Sequence, residues 1–284
     1  MKRIIGLFLG LVFVTTIFSQ EKADTTYWVK GGSFTANFSQ VSFTNWSAGG
    51  LNAIAGVTKA QFFANFKKGN ITWDNIIDLG YGLSKVDTLT LKKSEDIIDI
   101  QSKLGIKATE KLSYSGLLNF KSQFAPGYSD PYNQNEISNL FAPAYLTLAF
   151  GMDYKPNSKF SLVVAPVTGK MTFVNDSTLR INYGLDADKS TRMELGALLK
   201  AALNTEIIKN VGLLSELGLF TNYLNQPENI DVDWKVSVNM KINKFLSANI
   251  NTHLIYDADI IDQVDNVAKV QFKELFGIGL SFKF

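Results

Sequence analysis

The sequence predicts an all-β protein, an antiparallel transmembrane β-barrel of about twelve strands with both termini on the periplasmic side. Three observations carry that expectation. From Tyr27 to Phe284 the chain alternates apolar and polar residues with period two, the mark of strands with one apolar face. The connections alternate between tight and long. An export signal opens the chain, yet nothing after it is long and apolar enough to be a transmembrane helix, so a closed barrel is the remaining way to satisfy every backbone hydrogen bond in hydrocarbon.

Lys2 and Arg3 form a positive start, and 4–18 is an uncharged apolar run, too short to span a bilayer and of signal-peptide length. Ser19 is the small residue expected at the cleavage site. The chain therefore divides into a signal peptide at 1–19 and a barrel domain at 20–284. Cleavage removes two basic residues and leaves Lys and Arg equal in number to the 26 Asp and Glu. A mature chain near neutrality argues against a nucleic-acid partner. The absence of cysteine excludes disulfides, a lipid-anchored N-terminus, thiolate metal sites and cysteine nucleophiles.

The C-terminus alternates most clearly. Phe276, Ile278, Leu280, Phe282 and Phe284 share one face, and Lys273, Gly277, Gly279, Ser281 and Lys283 share the other. The same rhythm sets Val232, Trp234, Val236, Val238 and Met240 against Asp233, Lys235, Ser237, Asn239 and Lys241. It recurs around residues 73–81, 98–106, 140–152 and 246–256. The stretch 193–207 is rich in Ala, Leu, Lys and Glu, as a helix would be, but its alternation favours a strand. Tight turns are expected at 67–70, 109–111, 155–158, 209–210 and 243–244. Longer connections are expected at about 40–50, 85–96, 124–138, 167–191, 224–229 and 258–267. Five short turns and six long loops join twelve strands, and short periplasmic turns opposite longer outer loops are the habit of outer-membrane barrels.

The rival is a soluble exported sandwich or lipocalin-like barrel. Two features favour the membrane. The polar face carries glycines (Gly80, Gly82, Gly105, Gly151, Gly196, Gly218), which suit a crowded lumen better than a solvated face. The apolar face carries aromatics near strand ends (Trp28, Trp73, Tyr81, Tyr154, Trp234, Tyr256), where interfacial girdles need them.

Several stretches resemble a Bacteroidota family of exported proteins known only as a domain of unknown function. They are 37–50 (NFSQVSFTNWSAGG), 73–85 (WDNIIDLGYGLSK), 119–128 (NFKSQFAPGY), 152–155 with the APVTGK of 165–170, 222–234 (NYLNQPENIDVDW) and the terminal VQFKELFGIGLSFKF. The likeness implies compartment and source phylum, not a mechanism. The alternating terminal strand ending in Phe284 also resembles the signal by which barrel-assembly machinery recognises its clients.

No catalytic constellation stands out, and a non-enzymatic role is expected. The single histidine, His253, falls on the lumen phase but is followed by Leu254 and Ile255, with no serine to complete a hydrolase pair. One histidine and no cysteine make a transition-metal site improbable, and no cofactor is expected. The acidic stretch 257–266 lacks the glycine and spaced ligands of a calcium loop. Carboxylates and lysines are scattered along the lumen phase: Asp99 with Lys103, Glu194 with Lys200, Asp233 with Lys235 and Lys241. They are expected to pair across strands and line a mixed-charge constriction. Among the outer loops, Trp46, Tyr128, Asp130 and Tyr132 place aromatics beside hydrogen-bonding groups, which suits either glycan binding or loops that fold inward.

Two functional classes follow. One is a channel for small polar solutes with weak ion selectivity. The other is a non-transporting barrel whose loops bind a partner or glycan; a lipid-active enzyme or soluble β-protein is a distant third. The expected partners are outer-membrane lipid, the assembly machinery and small polar solutes.

Overall fold

The structure is a computed structural model that describes residues 27–42, 51–130, 132–261 and 267–284. Residues 1–19, expected as a signal peptide, and Trp46 lie outside the described residues. Fourteen strands follow one another: β1 (Trp28–Val41), β2 (Ala53–Lys68), β3 (Ile71–Val86), β4 (Lys92–Lys107), β5 (Leu112–Ser122), β6 (Gly127–Tyr128), β7 (Glu136–Ser138), β8 (Ala144–Tyr154), β9 (Phe160–Phe173), β10 (Thr191–Ile208), β11 (Val211–Asn222), β12 (Asp231–Lys241), β13 (Leu246–Tyr256) and β14 (Gln271–Lys283). Twelve of them close an antiparallel barrel, β14 returning to β1, while β6 and β7 form a small separate hairpin.

The expected twelve-stranded barrel is therefore present. The five short turns fall where expected, and 193–207 is strand within β10. Two connections were expected too long. β3 and β4 run on until only 87–91 joins them, and β9 continues to Phe173 instead of ending near 167. In both places a bulge breaks the alternation. The β3–β4 register shifts at Gly82 and Leu83. In β9, β8 pairs Phe150 with Val167 and Met152 with Val164, and β10 pairs Gly196 with Thr168 and Leu198 with Ala165. Pro166, which has no N–H to give, sits where neither neighbour asks for one.

The two faces of the wall are chemically opposite. Exposed on the outside are Phe62, Ile77, Leu104, Leu118, Leu148, Val164, Leu195, Trp234 and the whole terminal set Phe276, Ile278, Leu280, Phe282 and Phe284. Trp73, Tyr154 and Phe284 mark one rim of this band, and Tyr81 and Trp234 the other. An apolar belt between aromatic rims around a closed barrel is the surface that hydrocarbon requires, and the chain is a transmembrane β-barrel. The start of β1 and the end of β14 lie at the end with the short turns, where Gly32 and Phe284 exchange two backbone hydrogen bonds of 2.9 and 3.1 Å.

At the opposite end, 174–190 folds over part of the mouth. Val174, Leu179 and Leu185 are buried against Ala142, and Tyr183 packs on them. The Tyr183 hydroxyl donates to the Ile137 carbonyl at 2.7 Å, and burial pushes its pKa up to about 12.

Candidate functional site

Inward positions follow from the register. The row Glu216, Lys235, His253, Lys273 crosses four neighbouring strands, and Asp74 with Lys103 and Asp78 with Asp99 face each other on β3 and β4. The lumen is therefore polar and charged along these rows, as the alternation implied, and on one side Leu117, Ala149, Val163 and Ala165 pack with Leu198 into an apolar patch.

Long side chains from opposite walls meet in the middle. The Lys235 ammonium lies 3.3 Å from Asp99, and β12 is six strands from β4 in either direction around the barrel. This pair spans the full diameter. Beside it, Lys121 of β5 reaches Asp233 of β12 at 2.5 Å, Asp233 also engages His253 at 2.8 Å, and Asn119 donates to Asp99 at 2.6 Å. Lys200 of β10 donates to Gln101 of β4. These groups form a belt across the lumen. Among the described residues these contacts run between side chains only.

Two further tiers flank the belt. Toward the short turns, Lys103 pairs with Asp153 at 2.6 Å, and Lys155 lies within 3.4 Å of both Asp153 and Asp74. Burial opposes the charge on Lys155, but Asp153 and Asp74 outweigh it and raise its pKa. Toward the outer mouth, Lys170 reaches Asp231 at 2.8 Å, Asp257 at 3.4 Å and Glu194 at 3.8 Å, while Arg192 contacts Glu194 and Asp259, each at 3.2 Å.

The residues expected to line a constriction are distributed as follows. Asp99, Lys200, Asp233, Lys235 and His253 come together in the belt. Lys103 belongs to the inner tier and Glu194 to the outer one. Lys241 ends β12 and is exposed, away from the belt. Sequence reasoning passed over Lys121, Asp153, Glu95 and Lys170 and placed Lys273 only on the polar face of the last strand; all five pair inside. Their signal was available: Lys121 alternates with Asn119 on the polar phase of β5.

Of the loop candidates, Asp130 is occupied. Its carboxylate accepts the backbone N–H of Tyr132 and Gln134 at 2.8 Å and of Asn135 at 2.5 Å, shaping the β6–β7 hairpin. The Asn135 amide is the chief cause that holds this carboxyl below the usual range. Tyr128 sits under the Lys92 ammonium at 6.0 Å, and Tyr132 is exposed. Among the described residues no group of three or more His, Asp or Glu side chains converges to hold a metal.

Similar folds occur among solved structures, at low identity. The translocator domain of the autotransporter NalP from Neisseria meningitidis is 10% identical, with 100% of this chain and 94% of that one covered and a TM-score of 0.40. An outer-membrane channel from Pseudomonas putida F1 is 12% identical, with 93% and 100% covered and a TM-score of 0.42. OmpT of Vibrio cholerae is 8% identical, with 93% and 99% covered and a TM-score of 0.34. No curated protein matches the sequence. Residues 38–128, from the outer end of β1 through β6, match the model of a family described as a protein of unknown function (DUF3078).

Proposed function

We propose that this is an outer-membrane channel for small polar solutes, held closed by the ion-pair belt and opened when the pairs part. The observation that carries the reading is that, among the described residues, side-chain tips span the lumen, with Asp99 and Lys235 meeting from diametrically opposite strands. Side chains change rotamer in far less time than a folded plug takes to leave. Both signs of charge line the path, so ion selectivity should be weak. The export signal and the terminal aromatic strand support delivery to the outer membrane by the assembly machinery.

Planar-bilayer recording tests this. The wild-type barrel should show brief, small openings. The double variant Asp99→Ala with Lys235→Ala removes the diametric pair together, leaves neither charge orphaned by the other, and should conduct severalfold more. Lys235→Glu should move the reversal potential toward cations, whereas Lys241→Glu, at the exposed end of β12, should move it less. If neither wild type nor double variant conducts, and liposomes take up no solute, the channel reading falls and a structural barrel with working loops replaces it. The pairing of Asp99 with Lys235 and of Asp233 with Lys121 is the observation that favours that second reading.

A further inference from the structure

The outer tier carries more negative charge than its own cations cancel. Lys170 of β9 and Arg192 of β10 between them face Glu194, Asp231, Asp257 and Asp259, two cations against four carboxylates. Register explains the crowding. Glu194 stands opposite Lys170, and Asp231 and Asp257 lie one step beyond the Val232–Tyr256 pair of β12 and β13. Carboxylates this close repel unless cations or donors separate them.

Glu194 is the group left in deficit. Its side chain is 2% exposed, yet neither of its carboxylate oxygens accepts a hydrogen bond among the described residues. Arg192 and Lys170 approach Oε2, at 3.2 and 3.8 Å, but both are shared with Asp259, Asp231 and Asp257. A carboxylate buried without donors is costly, so a donor from outside the chain has something to gain there.

A cavity lies against this group. Glu194, Asp231 and Asp259 give it carboxylates, and Asn225, Gln226 and Asn229 of the β11–β12 connection give it amides. All six belong to the unbroken described stretch 132–261. Asn225 and Gln226 are exposed, which puts the rim within reach of solvent, while Glu194 is at the buried end. The free volume is about 10 Å³, room for one water-sized group.

Carboxylate and amide oxygens around so small a space ask for a positive hydrogen-bond donor. A metal ion is disfavoured, because among the described residues no three acidic or histidine side chains converge on one point. Guanidinium and quaternary ammonium groups are larger than one water. A primary ammonium has the size of a water and three donors. We propose that this cavity binds the primary ammonium group of a small water-soluble amine, its N–H donors on Glu194 and the flanking amide oxygens, the rest of the molecule lying outside against the rim. The ammonium supplies the donor that Glu194 lacks and offsets part of the excess charge. A trapped water would supply the donor and leave the charge as it is. The site is separate from the belt and does not depend on the belt's opening.

The test is calorimetric titration of 1,4-diaminobutane into the full barrel in phosphatidylcholine nanodiscs, at physiological ionic strength and against empty nanodiscs. Saturable binding is expected, with 1,4-butanediol giving no signal. The hexamethylated diammonium, which keeps both charges and has no N–H, should bind at least tenfold more weakly. Glu194→Gln keeps the shape and removes the charge, and should weaken binding about tenfold or more. Asp259→Asn should weaken it severalfold. Asp186→Asn, which removes an exposed charge outside the cavity, should leave it unchanged. Heat-modifiable migration on a gel certifies each variant as folded; if Glu194→Gln fails that check, Asp259→Asn and the hexamethylated probe decide. Binding no greater than to empty nanodiscs, equal binding of the hexamethylated probe, or equal binding by wild type and Glu194→Gln would overturn the proposal. So would displacement of the amine by an equal concentration of calcium, or an equal loss in Asp186→Asn, since either would reduce the site to general attraction for cations.

Discussion

At the scale of single residues, Asp130 shows how one carboxylate organises a loop. Three backbone amides converge on it, and because they favour the charged form its pKa is lowered in the folded protein. A lowered pKa stabilises the fold above the ordinary Asp value of about 3.9 and ceases to do so as pH falls through the lowered value. Hydrogen exchange at Tyr132, Gln134 and Asn135, corrected for its intrinsic pH dependence, should therefore be protected at neutral pH and lose protection only in strong acid. Asp130→Ala should remove that protection at every pH; unchanged protection in the variant would show that the hairpin holds itself. Asp153 makes a different demand. It is almost fully buried and faces Lys103 and Lys155, so Asp153→Ala leaves the buried Lys103 ammonium without its partner. Breaking a buried pair from one side costs about 3–5 kcal/mol, and the temperature at which the barrel loses its compact gel mobility should fall. Asp186→Ala, which removes the exposed pair with Lys189, should leave that temperature unchanged.

At the scale of elements, β14 and β9 show what alternation reveals and what it hides. β14 reads directly: Phe276, Ile278, Leu280, Phe282 and Phe284 are apolar at every second place, and all five face outward. Its pairing with β1 is the shortest seam in the wall, six residue pairs long within the ladder. The two backbone bonds between Gly32 and Phe284 extend that seam at its inner end. Deleting Phe284 should therefore reduce assembly, measured as heat-modifiable protein recovered in the outer-membrane fraction. Normal recovery of the deletion would mean that the terminal residue is an ordinary strand end. β9 reads poorly. Its bulge at Pro166 shifts the register against both neighbours, so inward residues change phase partway along the strand. A period-two reading then loses the strand just where Thr168, Lys170 and Thr172 turn inward, and Lys170, the centre of the outer tier, is lost with them.

At the scale of the whole molecule, the local pattern was sufficient for the class of fold and insufficient for its interior. Strand phase, turn positions and the even strand number are local properties, because each depends on residues within one strand and its connections. They were legible in 193–207, where alternation outweighed helix-forming composition, and in the five tight turns. The polar phase also identified Asp99, Lys200, Asp233, Lys235 and His253 as lumen residues. That these five converge, while Lys103 and Glu194 form separate tiers and Lys241 stands outside, depends on strand tilt and on which strands face each other after closure. Asp99 and Lys235 are 136 positions apart in the chain and six strands apart in the wall, and only closure brings them to 3.3 Å. Sequence by itself determined a transmembrane wall with an apolar outside and a charged inside, because a side chain's face is set by its parity along the strand. Tertiary structure alone decided which charges meet, because that is set by the register and shear of a closed barrel.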